Sequence, residues 1–136
     1  VKQEIDREFT AICRRNNWKC TIQRRAVYGF MRGNLSHPGV DTVWNHVRET
    51  APTVTRESVY RILNEFSQCG ILNRLDHIEN ARYDSRTDSH GHFVCEQCGT
   101  IIDFDLSQKM TVPDDAVKGE IRQIELRISG ICSKCR

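Results

Sequence analysis

Apolar positions in the first half of the chain recur at helical spacing. Ile5, Phe9, Ile12 and Cys13 form one stripe, broken by Asn16-Asn17. Thr21 stands where an N-cap belongs, ahead of a second helix with Val27, Phe30 and Met31 turned inward and an end near Gly33. Ser36-His37-Pro38-Gly39 reads as a turn, followed by a helix started at Asp41, with Val43, Trp44 and Val47 inward and Pro52 as its stop. The fourth helix has the clearest pattern. Thr55 caps it, Val59, Ile62, Leu63 and Phe66 fall at i, i+3, i+4 and i+7, and Gly70 ends it. At about 100° per residue, Glu57, Arg61 and Asn64 lie opposite that stripe, with Tyr60 on its flank.

After Gly70 the period changes. Residues 71–76 and 81–84 read as two short strands joined through His77-Ile78-Glu79-Asn80. Three helices, a recognition-type helix and a two-stranded hairpin, in that order, make a winged helix-turn-helix. The remainder alternates differently: His92-Phe93-Val94, Thr100-Ile101-Ile102-Asp103-Phe104, and a tail in which Ile124, Leu126 and Ile128 alternate with Glu125, Arg127 and Ser129. A short helix is expected between Pro113 and Gly119. The chain is therefore read as α+β, with a winged-helix DNA-binding domain over residues 1–84, a hinge over 85–89 and a small α/β dimerisation domain over 90–136. About 50 residues bury too little surface to be stable alone, so a metal staple, a dimer interface or both are expected there.

Composition narrows the class. The chain has 136 residues, 38% hydrophobic and 28% charged, enough for a packed core. No apolar run approaches the roughly 20 residues of a membrane helix, and no charged-then-apolar leader opens the chain, so neither a membrane protein nor a secreted one is expected. Net charge is +2, but residues 1–86 carry +4 and residues 87–136 carry −2. No acidic residue occurs between Glu8 and Asp41, whereas Arg14, Arg15, Lys19, Arg24, Arg25 and Arg32 all do. Such a stretch suits a phosphate backbone, with a solvated helix face as the alternative. Likewise Tyr60, Arg61 and Asn64 suit readout of base edges, unless that side of the helix is simply hydrated.

Two groups of residues suggest metals. Cys95-x-x-Cys98-Gly99 and Cys132-x-x-Cys135 each turn two thiolates toward one ion, and four soft thiolates favour Zn²⁺ in a closed, structural shell. A redox dithiol is the alternative, and two pairs at zinc-ribbon spacing speak against it. With seven cysteines in all, an odd number, thiolate ligation in a reducing cytosol fits better than a disulfide framework. The second group is His37, Asp84, His90, His92 and Asp103, a nitrogen and oxygen set suited to Fe²⁺ or Mn²⁺ as well as Zn²⁺. Taken singly, each has an ordinary explanation as a cap, a strand end or a surface residue. Of the other cysteines, Cys13 and Cys69 are read as small core residues, and Cys20, between Lys19 and Thr21, as a thiol without a sensing role. His46 and His77 are read as solvated.

Several motifs in order resemble the ferric uptake regulator (Fur) superfamily. They are Thr21-x-Gln23-Arg24, His37-Pro38, Ser58-Val59-Tyr60-Arg61-x-Leu63, Arg82-Tyr83-Asp84, His90-x-His92, Cys95-x-x-Cys98-Gly99, Asp103 and the last C-x-x-C. The resemblance runs from about Trp18 to Cys135. It implies a homodimeric, metal-dependent repressor of the bacterial cytoplasm, bound to palindromic double-stranded operator DNA and not an enzyme. It also implies structural Zn²⁺ at Cys95, Cys98, Cys132 and Cys135, and a regulatory Fe²⁺ or Mn²⁺ at His37, Asp84, His90, His92 and Asp103. Asp103 and the single H-x-H pair are similar to the peroxide-sensing (PerR) branch, in which iron directs oxidation to a ligand histidine, here His37 or His90. Arg61 is more similar to members that respond to metal dosage, which is the alternative function. The further metal site of many iron-sensing members is missing, since Ser89, Gly91 and Ile124 stand in its neighbourhood.

On that reading, the ion selects one arrangement of the two parts and so sets the spacing of the paired winged helices. Lys19, Arg24 and Arg25 are expected on phosphates, and Tyr60, Arg61 and Asn64 on bases. Two other classes make different demands. A hydrolytic metalloenzyme needs a substrate pocket and a base beside metal-bound water, and a zinc-ribbon interaction module needs no regulatory ion.

Overall fold

The computed structural model describes residues 1–76, 80–106, 112–121 and 124–136, and the chain divides into two compact units, Val1–Thr87 and Asp88–Arg136. In the first, four helices precede a hairpin: α1 (Lys2–Asn16), α2 (Ile22–Met31), α3 (Val40–Val47), α4 (Arg56–Gln68), β1 (Asn73–Leu75) and β2 (Arg82–Asp84). The local stops act as expected. Asn17 adopts the left-handed conformation that ends α1, and Thr21 and Thr55 accept the backbone N–H of Arg24 at 3.2 Å and of Ser58 at 3.1 Å. The third helix stops at Val47, in turns ahead of Pro52.

Helical periodicity translates directly into the core. Val59, Ile62, Leu63 and Phe66 of α4 pack with Phe9, Ile12 and Cys13 of α1, Val27 and Met31 of α2, and Val43 and Val47 of α3. Tyr28 stacks on Phe9 and meets Phe66 edge-on, with ring centroids 5.5 and 6.4 Å apart. Trp44 donates its indole N–H to the Val54 carbonyl at 3.0 Å, fixing the turn between α3 and α4. Both wing strands are shorter than expected and pair antiparallel, Arg74 opposite Tyr83. Tyr83 is fully buried against the helical core and anchors the wing there.

In the second unit, β3 (Gly91–Cys95) is the centre of a three-stranded sheet, antiparallel to β4 (Ile101–Phe104) and parallel to β5 (Leu126–Gly130). Register sorts the side chains. His92 lies opposite Asp103 and Arg127, while Phe93 lies between Ile102 and Ile128 on the other face. Ile102 and Ile128 are each nearly half exposed. The expected helix after Pro113 is not formed among the described residues. A single turn stands there instead, closed by the Ala116 N–H on the Pro113 carbonyl at 3.0 Å. Gly91 passes against the Phe104 ring so closely that a Cβ would come within 2.2 Å of it, so a larger residue there would require that ring to move.

Candidate metal centres and nucleic-acid face

The two C-x-x-C turns meet in the second unit. Cys95 ends β3 and Cys132 follows β5, its parallel neighbour, so strand pairing brings the turns together. All four Sγ atoms lie within 4.8 Å of one another, and Cys98 Sγ is 3.7 Å from Cys132 Sγ. A tetrahedron with Zn–S bonds of about 2.3 Å has S···S edges of about 3.8 Å. The fit to Zn²⁺ is therefore good in chemistry and in spacing. Backbone N–H groups of Cys132 and Cys98 point at Cys95 Sγ, 3.4 and 3.5 Å away, and pull its pKa down to about 6. The hydrogen bond to Cys132 pushes Cys135 the other way, up to about 12. Four thiols this close together compete for protons, and a dication that converts all four to thiolates relieves the crowding.

His90, His92 and Asp103 converge on the opposite face from Phe93. Asp103 Oδ1 is 3.2 Å from His92 Nε2 and 3.5 Å from His90 Nε2, and the two Nε2 atoms are 3.0 Å apart. His90 Nδ1 is 2.7 Å from the Asp88 carbonyl, which can only accept, so the ring proton resides on Nδ1 and Nε2 turns its lone pair to the cluster. Two nitrogens about 2.1 Å from one ion, at right angles, lie about 3.0 Å apart. Two imidazoles and one carboxylate this close together are a nitrogen and oxygen set that would suit Fe²⁺ as well as Mn²⁺ or Zn²⁺. The donors fit a hard or borderline divalent cation.

The remaining two ligand candidates belong to the first unit, where His37 Nε2 lies 3.6 Å from Asp84 Oδ2 with both side chains buried. His37 has φ 54°, and β2 fastens its turn: Tyr83 N–H bonds the Pro38 carbonyl at 3.0 Å, and Arg82 Nε donates to the His37 carbonyl. The Arg86 N–H orients Asp84 through Oδ1 at 2.9 Å. The residue pattern did not mark Arg82 or the Asp88 carbonyl as supports, because the Arg82 side chain reaches a main-chain carbonyl and Asp88 offers one. One other expectation needs correction: Cys69 caps α4 and is exposed rather than in the core. His46 is exposed, as expected, and stacks on Phe30 with ring centroids 4.3 Å apart. His77 lies outside the described residues.

The candidate nucleic-acid face is less open than the charge count suggests. Arg24 pairs with Glu65 at 3.2 Å and donates to the Lys19 carbonyl, Arg25 pairs with Asp6, and Arg32 with Glu8 at 2.6 Å. These cations hold α2 against α1 and α4, whereas Arg14 and Lys19 are exposed and make no ion pair among the described residues. Tyr60 and Arg61 are exposed on α4. Asn64 is not fully available, because its carbonyl oxygen accepts Arg74 Nη1 at 2.6 Å and the Tyr83 hydroxyl at 2.9 Å. It joins the wing to α4. No helix among the described residues is long and apolar enough to cross a membrane.

Comparison with known proteins agrees with this anatomy. The model of the ferric uptake regulator family matches residues 15–129. The peroxide-responsive repressor PerR of Staphylococcus saprophyticus is 26% identical over 140 residues, covering 100% of this chain and 94% of the relative. In fold, the ferric uptake regulator of Helicobacter pylori matches with a TM-score of 0.76 at 20% identity, over 99% of this chain and 93% of that one. A peroxide stress regulator from Campylobacter jejuni matches at 0.67 and 21% identity, over 93% and 98%. The chain belongs to the ferric uptake regulator family.

Proposed function

We propose that this protein is a metal-dependent, peroxide-sensing transcriptional repressor. The observation that carries the reading is the convergence of His90, His92 and Asp103, two imidazoles and one carboxylate, in a chain that also has a winged helix. The full-length similarity to a peroxide-responsive repressor points the same way. Neither His37 with Asp84 nor the trio of the second unit fills a coordination shell alone. In our reading they share one regulatory ion, so that occupancy selects one arrangement of the two units. Bound at these residues, Fe²⁺ would supply peroxide activation beside a ligand imidazole. The net change would place one peroxide oxygen on the ring of His37 or His90 and release the other as water, the ring losing the two electrons that peroxide gains; the oxidised ring would bind poorly and let the units part. The event happens once per molecule, on the protein itself.

The DNA complex in this reading is a homodimer on a palindromic operator in the bacterial cytoplasm. The row Ile102, Phe93 and Ile128, apolar and partly exposed, suits a self-complementary interface. Lys19, Arg24 and Arg25 meet phosphates, the last two after exchanging their intramolecular partners. Tyr60 and Arg61 read bases, joined by Asn64 through its amide group.

Operator binding should be measured with Mn²⁺ and with Fe²⁺, before and after peroxide, with mass spectrometry of the peptides carrying His37 and His90. The sensor loses binding only with iron and gains one oxygen on either peptide. Binding that survives peroxide with both metals would establish the dosage-responsive alternative.

A further inference from the structure

We propose, on the basis of the DNA-binding function above, that Arg74 of the wing is a positioning residue for base recognition. It fixes the Asn64 amide so that Asn64 meets base edges only as a hydrogen-bond donor, which favours guanine over adenine. Asn64 and Tyr60 lie one turn apart on α4 and, with Arg61, line a shallow groove on the exposed side of that helix. On β1, Arg74 reaches both of them. Its Nη1 is 2.6 Å from Asn64 Oδ1 and 3.5 Å from the Tyr60 hydroxyl, and its Cζ lies 5.6 Å from the centre of the Tyr60 ring. Nε of the same guanidinium donates to Asp76, which holds the group in place.

Chemistry decides which end of the amide is which. A guanidinium has N–H donors and no acceptor, so the Asn64 atom facing it is the carbonyl oxygen. The Tyr83 hydroxyl donates to the same oxygen at 2.9 Å, from a fully buried side chain. Both lone pairs of that oxygen are therefore engaged, and turning the amide over would set N–H against N–H at Arg74. What Asn64 offers a base is its amide N–H side. Asparagine ordinarily pairs with adenine through two bonds, donating to N7 and accepting from the N6 amine. Here the second bond is closed off, because the accepting oxygen is already used twice. Guanine presents two acceptors, N7 and O6, and suits a group that only donates. Arg74 thus shapes the choice of base without touching one.

The test selects from a library of randomised DNA duplexes with full-length protein loaded with zinc and Mn²⁺. Wild type should enrich guanine at one position of each half-site, where adenine costs at least about fivefold in affinity. Asn64→Asp keeps an oxygen toward Arg74 and Tyr83 but puts an acceptor where the amide nitrogen was. At that position cytosine, which presents its N4 amine, should displace guanine. Arg74→Met returns a lone pair to Oδ1 and should bring adenine level with guanine there, with preferences at other positions unchanged. Adenine as the wild-type choice at the position that Asn64→Asp alters, or no position altered by Asn64→Asp, would overturn the proposal and leave DNA binding standing. So would wild-type preferences in Arg74→Met, or a loss in that variant that is uniform across all sequences, which would make Arg74 merely structural. Failure of the wild type to enrich any sequence would overturn the DNA-binding function and this proposal together.

Discussion

The two units of this chain reach stability by different routes. The first holds every member of the hydrophobic cluster, from Phe9 to Tyr83, and its helices can be explained by apolar periodicity and caps. In the second, the buried apolar residues among those described are Val94, Cys95 and Cys132, while Ile102, Val117, Ile121, Ile128 and Ile131 are exposed. One unit folds around side chains of its own, and the other has little apolar core and a four-cysteine cluster that a metal would tie together. A regulator profits from that asymmetry, because a rigid reading head can be governed by a module whose order depends on bound ions.

Removing zinc should give the largest effect. A structural zinc site contributes on the order of 10 kcal/mol of apparent folding free energy. Chelation, or Cys132→Ser, should abolish hydrogen-exchange protection of β3 and β5 and leave α2 and α4 protected. Loss of protection in both units together would break the contrast. A smaller, opposite effect is expected from Phe66→Ala, which empties a fully buried site and should cost the first unit about 3–5 kcal/mol. Its thermal transition should fall while zinc content stays unchanged.

The smallest effect concerns an ion pair on the surface of the first unit. Arg32, and then the Tyr28 hydroxyl, hold the Glu8 carboxyl below the usual carboxylate range. A depressed pKa in the folded state means that the stabilisation is complete above the ordinary value and disappears as pH falls through the lowered one. Glu8→Gln should therefore lower the first transition slightly at neutral pH, and the two melting curves should merge in strong acid. A difference that persists there would assign the effect to packing rather than charge.

Legibility follows the same division. Helices of the first unit were readable because i, i+3, i+4 and i+7 spacing reports burial, as at Val59, Ile62, Leu63 and Phe66. The zinc cysteines were readable because each pair is local. The meeting of His92 with Asp103 is different in kind, since it depends on which residues of β3 and β4 face each other. Register is not encoded in local spacing. Cys69 was misread as core because it extends an apolar helix, yet it caps the end and is exposed. Asn64 lies at an outward angle on α4, but the wing approaches that side and takes its carbonyl through Arg74 and Tyr83. No property of α4 alone could reveal that contact.

In the function proposed above, His37 in one unit and His92 in the other hold a common ion that controls DNA binding. Operator affinity should be titrated with Mn²⁺ for the wild type, His37→Ala, His92→Ala and the double variant, all with zinc retained. The account predicts that each single variant loses most of the Mn²⁺-dependent gain and that the double variant loses little more, the non-additivity expected of two ligands to one ion. A His37→Ala protein that keeps the wild-type Mn²⁺ dependence would contradict it.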